Sequence, residues 1–317
     1  MANEQEKYTN PRIDHPNAQS SAEQGRVYLD FSKSIWVSTM LVFGTVGSAL
    51  TITLESVILF FLFTGFTLCF GHSLGMHRRF IHRSYNCPKW MEYFFVHLGT
   101  IVGLAGPFGM LKTHDMRDWA QRQTVCHPYF SHGKKPYYDA YWQIFCSIDL
   151  KDPPAFEPES EIADDWVYIW MEKTWMLQQL PWALLFYFLG GWSWVFWGVC
   201  SRVSISIFGH WLIGYFAHNS GGKDWYVEGA AVQGHNIPWT AIFTMGENWH
   251  NNHHAFPESA KLGLEKGQWD PGWWVLIILS KVGLVSDLVT PDKLPSRPEL
   301  IKLEHVEVGR IKRVRVN

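Results

Sequence analysis

Three histidines stand within five residues at His250-Asn251-Asn252-His253-His254. On a helix, positions i, i+3 and i+4 share a face, so His250, His253 and His254 present three imidazoles to one side. Neutral imidazole binds metals, and three on one face form a metal-binding arrangement. A second pair, His77 and His82, is five residues apart. On a regular helix that spacing is about 140°, which suits two neighbouring ions better than chelation of one. His114, His127 and His132 form a third group, and His218 stands alone. First shells rich in histidine suit iron, copper, zinc or nickel, and the spacing alone does not choose among them.

Thirteen of the 15 histidines lie between His72 and His254. His72, His97, His210 and His235 read as structural or supporting residues, and His15 and His305 lie in polar tails and take no role. Cys126, beside His127, is a candidate ligand but reads better as a free thiol. The chain has five cysteines and no C-x-x-C spacing, which excludes a disulfide scaffold and a cysteine-rich zinc domain.

The elements that must position these residues follow from the distribution of charge. The 317 residues are 47% hydrophobic, 18% charged and carry a net charge of −2. Near-neutrality excludes a strongly basic face for nucleic acid. The average hides two charge-poor runs. Residues 34–71 hold one charge, Glu55. As a single helix they would be ~57 Å long, against a hydrocarbon core of ~30 Å. They must fold back, and Thr51–Ser56 is the natural turn. Residues 174–222 hold one charge, Arg202, with Gly190-Gly191 between two aromatic-rich halves. The expected fold class is an all-α integral membrane protein. Four transmembrane helices form two hairpins, and a cytoplasmic helical cap holds the histidines. Tyr93–Leu111 reads as a broken or interfacial segment, and Trp273–Val289 as an amphipathic helix on the membrane surface. The expected organisation is a polar, mobile tail over 1–32, a membrane domain over 33–302 and a polar tail over 303–317.

Both proposed turns lack Lys and Arg, whereas Arg26, Lys33, Arg78, Arg79, Arg83, Lys89, Lys173 and Lys223 flank the hairpins. The positive-inside rule then puts both termini and the middle segment in the cytoplasm. Two hairpins return the chain to its starting side, so the histidine groups can converge there.

Beyond these readings, Gly75-Met76-His77-Arg78-Arg79-Phe80-Ile81-His82-Arg83-Ser84-Tyr85 resembles the first histidine box, H-x-x-x-x-H, of the membrane fatty acid desaturases, particularly the acyl-CoA delta-9 type. Gly246-Glu247-Asn248-Trp249-His250-Asn251-Asn252-His253-His254-Ala255-Phe256-Pro257 resembles their third box, H-x-x-H-H, with its following Phe-Pro. The order Arg202, Trp211, His218 is similar to the family segment that ends in an isolated ligand histidine. The resemblance covers roughly residues 30–295. It implies four spans, a cytoplasmic cap holding two irons, and oxygen-dependent desaturation of a fatty acyl chain. His77, His82, His114, His218, His250, His253 and His254 are the implied iron ligands. Glu247, Asn251 and Asn252 are candidates to orient their rings from behind.

The second box departs from the family pattern. Where H-x-x-H-H should stand, counting from His82, the chain has His114-Asp115-Met116-Arg117-Asp118. Arginine stays protonated and cannot bind a metal, whereas a carboxylate such as Asp118 can. A second register ends at His127 and keeps only that one histidine. The first register is preferred because it leaves the spacing to Trp142 nearly unchanged. Gly214 stands where the family often has an asparagine that holds a water near one iron.

Oxidising an unactivated methylene needs a metal centre, oxygen and electrons. No heme segment or Gly-rich nucleotide fingerprint is apparent, so a separate ferredoxin or cytochrome b5-like donor is expected. Arg78, Arg79, Arg83 and Lys89 are a candidate docking patch for it, or equally serve the positive-inside rule and lipid phosphates. The acyl substrate could be carried by CoA, carrier protein or lipid. Two rival functions remain at this level. One is a related di-iron hydroxylase or other oxygenase. The other is a metal-binding membrane protein without turnover, for which the altered second box is the only support.

Overall fold

The computed structural model describes residues 8–13, 20–305 and 311–315. Helix α1 (Phe31–Leu50) starts at Asp30, whose side chain accepts from the Lys33 backbone N–H. Helix α2 (Leu54–Ile81) starts at a capping box formed by Thr53 and Ser56, which satisfies backbone donors that a helix start leaves free. The first charge-poor run therefore turns inside the expected Thr51–Ser56 segment. Helix α2 then continues past that run and carries His77, with His82 just beyond its end.

The next segment crosses α2 closely. A Cβ on Gly71 would lie 2.4 Å from the Leu98 carbonyl carbon, and one on Gly75 2.5 Å from the Phe95 oxygen. Only glycine permits this approach of α2 to α3 (Lys89–Ile101). Helix α4 (Pro107–Arg122) follows a break at Gly103, where φ is +94°. The expected broken segment over Tyr93–Leu111 is thus two helices meeting at that glycine. Short helices α5 (Pro128–Ser131) and α6 (Pro136–Phe145) and helix α7 (Trp166–Lys173) complete the middle region.

Helix α8 (Gln179–Asn219) is interrupted at Gly190 and Gly191, where φ is −148° and then +63°. Its two arms pack on each other. Arg202 Nη2 donates to Gln179 Oε1 at 2.7 Å, and Phe186 meets Trp194 at 6.4 Å between ring centres. A contact between Gln179, at the start of the first arm, and Arg202, eleven residues beyond Gly191, requires the chain to reverse at the glycines. Among the described residues, α1, α2 and α8 are the three helices long and apolar enough to cross a membrane.

Helices α9 (His250–Ala255) and α10 (Pro271–Lys281) follow. Leu276 of α10 is fully buried in a cluster with Leu74, Tyr85 and Phe95, while Trp274 and Ile278 are exposed. The chain is mostly helical, but the described residues also form two small antiparallel sheets, which corrects the all-α expectation. Strands β1 (Gly25–Leu29) and β2 (Cys146–Leu150) pair in register from Gly25↔Leu150 to Leu29↔Cys146. Strand β4 (Leu300–His305) lies between β3 (Trp225–Val227) and β5 (Ile311–Arg315). Both expected tails are affected. Ile13 is buried in a cluster with Trp119 and Phe130, and β1 falls inside the segment read as mobile. Residues 300–302 pair with β3 and residues 301–305 with β5, so Leu303–His305, read as the start of a polar tail, belong to a strand. Backbone donors that pair and apolar side chains that are covered outweigh the polar composition that suggested mobility. His15 lies outside the described residues.

Candidate metal centre

His77, His82, His114 and His253 form one group, and His218, His250 and His254 a second, each with ligand atoms within 4.8 Å of one another. Four elements supply them. Helix α2 and its end carry His77 and His82, α4 carries His114, the end of α8 carries His218, and α9 carries the last three. On α9 the expected shared face is divided. His253 turns to the first group while His250 and His254 turn to the second, with the His250 and His253 rings only 5.4 Å apart. The two groups are therefore adjacent.

The first group rests on an unusual stretch of helix. Over Thr67–Ile81 the backbone bonds step five residues instead of four. At the end of this stretch the His82 N–H donates to the His77 carbonyl at 3.0 Å. The wider turn stacks residues five apart, and the His77 and His82 rings meet at 4.8 Å. The regular-helix expectation, that this pair faces apart and serves separate ions, is corrected by this winding.

Several contacts fix which ring nitrogen is free. His218 Nδ1 donates to the Gly214 carbonyl at 2.7 Å. Its Nε2 then bears the lone pair, and lies 3.0 Å from His250 Nε2. His254 Nε2 lies 3.1 Å from the same atom. In the first group, His82 Nε2 and His114 Nε2 are 3.3 Å apart. Glu247 Oε2 sits 2.6 Å from His77 Nδ1, and Arg78 and Ser73 hold the other oxygen of that carboxylate. Glu247 thus lies against the His77 ring. Asn251 and Asn252 act elsewhere. The Asn251 amide is consumed by the backbone of Asp224, Trp225 and Gly234, and Asn252 donates to Leu262 and Gln268. They anchor α9 rather than orient its imidazoles.

Asp118 is 7% exposed, and its Oδ2 lies 3.9 Å from His253 Nε2 and 3.3 Å from Arg122. Burial opposes its ionisation, but the His114 and Arg122 charges outweigh burial and hold the carboxyl at about 2. His127 is brought to neither group. Its Nδ1 accepts from the Tyr129 N–H at the start of α5, and its ring stacks on Trp142. The register beginning at His114 is the one whose residues reach the histidines. Arg117 donates to His132 Nε2 at 2.6 Å and to Gln143 Oε1 at 2.7 Å.

His132 was not singled out from sequence, yet it stacks on His218 with ring centres 5.1 Å apart. Asp139 faces its other nitrogen at 2.8 Å, and Trp211 donates to the same carboxylate. A Cβ on Gly214 would lie 3.4 Å from His132 Nε2, so His132 uses the room that this glycine leaves. Its membership of the middle histidine group was the only signal in sequence. Cys126 belongs to neither cluster.

The basic residues in the last turn of α2 and just after it do not form the expected patch as a whole. Arg78 is 1% exposed and binds Asp270 at 2.8 Å. Arg79 pairs with Glu92 at 2.6 Å, and Lys89 with Glu92 and Asp165. Arg83 is partly exposed and faces Glu159 and Glu161. Arg78 at least must leave any docking reading, because its charge is spent inside the protein.

The donor set fits a transition metal. Burial pushes His82, His250 and His253 well below the usual histidine range, with neighbouring imidazoles adding to the shift. Burial likewise lowers His254, to about 4, against the opposing Asp118 charge. Burial also opposes protonation of His114, but Asp118 and Asp115 outweigh it and raise its affinity for a proton. Most of these rings are therefore neutral at pH 7 and offer lone pairs. His253 is 1% exposed, and among the described residues neither of its ring nitrogens has a hydrogen-bond partner. Leaving such a group unpaired costs about 1–3 kcal/mol, a cost that ligation removes. Nitrogen donors with one carboxylate suit iron and its neighbours, not magnesium or calcium.

The profile of the fatty acid desaturase family matches residues 52–262. The sn-1 stearoyl-lipid 9-desaturase of Anabaena variabilis is 35% identical over 70% of this chain and 80% of its own length. The sn-2 palmitoyl-lipid 9-desaturase of Nostoc sp. (strain 36) is 30% identical over 74% of this chain and 80% of its own. The acyl-CoA C20 Delta5-desaturase of Anemone leveillei is 28% identical over 74% of this chain and 75% of its own. With two histidine groups gathered at the ends of apolar helices, the match over two thirds of its length makes this chain a member of the fatty acid desaturase family, an enzyme that desaturates fatty acyl chains.

Proposed function

We propose that this desaturase uses oxygen and two irons. His77, His82, His114 and His253 hold one, and His218, His250 and His254 the other, with Asp118 a carboxylate donor between them. The observation that carries this reading is the pair of adjacent buried groups of convergent imidazole nitrogens. Iron supplies the oxidising power that removal of hydrogen from a methylene demands. The chain's own residues do the rest. Glu247 holds His77 by its Nδ1, the Gly214 carbonyl holds His218 by its Nδ1, and burial keeps competing protons and water from the nitrogens. Four spans, with α8 counted as two arms, and a cytoplasmic cap complete the proposal. Its support is that His77, near the end of α2, and His218, near the end of α8, belong to two adjacent histidine groups. Electrons come from a separate ferredoxin or cytochrome b5-like protein.

The acyl group is long-chain and lipid-linked, a reading supported by the names of the Anabaena and Nostoc relatives. The test is heterologous expression with gas chromatography of separated lipid classes, together with iron analysis of purified protein. New double bonds in glycerolipid chains and about two irons per chain are expected. Double bonds confined to acyl-CoA overturn the carrier, hydroxylated chains overturn the outcome of the reaction, and far less iron overturns the metal assignment.

A further inference from the structure

Residues 8–13 reach the histidine motifs from outside the helical frame. Arg12 is 5% exposed. Its Nη1 donates to Asp115 Oδ2 at 3.1 Å and to the Ile81 carbonyl at 3.0 Å, and its Nε donates to Glu159 at 2.8 Å. Ile81 immediately precedes His82, and the other oxygen of Asp115 faces His114 Nδ1 at 3.4 Å. One guanidinium therefore ties the carbonyl before His82 to the carboxylate behind His114. These are the two rings whose Nε2 atoms stand 3.3 Å apart. Four residues earlier, the Tyr8 ring lies against Arg122 at 4.2 Å and Arg297 at 5.0 Å. Arg122 pairs with Asp118, and Arg297 donates to the Ala255 carbonyl at 2.6 Å, at the end of α9. Ile13, fully buried, locks the segment to the cluster around Trp119.

We propose that residues 8–13 are a strap that positions the donors of the first histidine group, with Arg12 the positioning residue. The proposal rests on the metal assignment above. Arginine suits the task because its planar fork serves a carbonyl and two carboxylates at once, whereas lysine offers a single ammonium. Outer partners of ligating histidines typically matter by about 10–100-fold in metal affinity. Tyr8 steadies the far end through cation–π contacts with the arginines that hold Asp118 and α9.

The test is titration of metal-stripped, full-length protein in detergent with Co(II), read by its ligand-field absorption and by bound metal per chain. Wild type, Arg12→Ala, Arg12→Lys and Lys151→Ala, an exposed control, are compared, with size-exclusion profiles to report folding. Arg12→Ala is expected to weaken one of the two bound ions by about 10–100-fold and change its absorption band, with the second ion retained. Arg12→Lys is expected to recover part of that affinity, and Lys151→Ala to match wild type. Wild-type affinity and spectrum in Arg12→Ala overturn the strap. If Arg12→Ala aggregates, Arg12→Lys decides: a soluble chain with one weakened ion supports the strap, and two unchanged ions overturn it. A wild-type chain that binds no Co(II) overturns the metal assignment itself, and the strap with it.

Discussion

The His82 backbone N–H bonds the His77 carbonyl at 3.0 Å, a step of five residues, and the two imidazoles consequently meet at 4.8 Å. A regular helix would turn these side chains well apart. The wide winding of α2 is what makes one cluster from an H-x-x-x-x-H spacing. Windings of this kind, usually confined to a single turn, occur often at functional sites, and here the winding runs over Thr67–Ile81.

The wide winding lies where α3 crosses α2 closely. Gly75→Ala puts a methyl 2.5 Å from the Phe95 oxygen. Overpacking of this kind costs about 1–3 kcal/mol. The expected outcome is a lower melting temperature in detergent and reduced metal content, since α2 must shift where it carries His77. A variant that melts and binds metal like wild type would show that the crossing does not set the site.

Among the described residues His253 has no hydrogen-bond partner for either ring nitrogen, and under the proposed assignment ligation is what compensates its burial. His253→Ala should abolish desaturation and reduce iron from about two per chain toward one under the proposed assignment, with an unchanged size-exclusion profile. Full activity in this variant would sink the role assigned to the third box.

Asp118 and His127 separate the two registers of the altered second box. Asp118→Ala should lower iron content and His127→Ala should leave it unchanged, since His127 caps α5 and stacks on Trp142. Metal analysis of the two purified proteins checks this. Iron lost only in His127→Ala would reverse the choice of register.

Glu247 orients His77 and also receives Arg78. Burial opposes its charge, but His77 and Arg78 outweigh burial and keep the carboxyl far below its usual range. Glu247→Gln retains the shape and removes the charge. We expect metal affinity to fall by about 10–100-fold, measured by competition with a coloured chelator. Unchanged affinity would make Glu247 a partner of Arg78 alone.

Arg117 stands where the family pattern has a ligand, and it holds His132 against His218. Arg117→Ala leaves a buried acceptor unpaired, at a cost of about 1–3 kcal/mol. Thermal unfolding should report that loss. Equal stability would mean that His132 finds another partner or turns away from the second group.

The apolar helices and most of the histidines of the candidate metal centre were legible in the sequence because each rests on local spacing. One charge in 38 residues calls for a turn near Thr51 whatever the rest of the chain does, and three histidines at i, i+3 and i+4 share a face on any helix. The division of α9 between two groups was not legible. It depends on where α2, α4 and α8 deliver His77, His114 and His218. Asn251 and Asn252 looked like partners of the neighbouring rings, yet their amides bond backbone carbonyls and a side chain from other segments.

The sequence by itself determined the chemistry available here: neutral nitrogen donors, one carboxylate where the family pattern has an imidazole, and helices too apolar for water. Those follow from residue type and periodicity, which are local. Only the tertiary structure decided that Arg78 is buried and bound to Asp270, that His132 replaces His127 beside the centre, and that Arg12 joins the elements bearing His82 and His114. A side chain's charge is fixed by its chemistry, but its partner is whichever group the packed chain brings within about 3 Å. For Arg12 that partner, Asp115, lies 103 residues away.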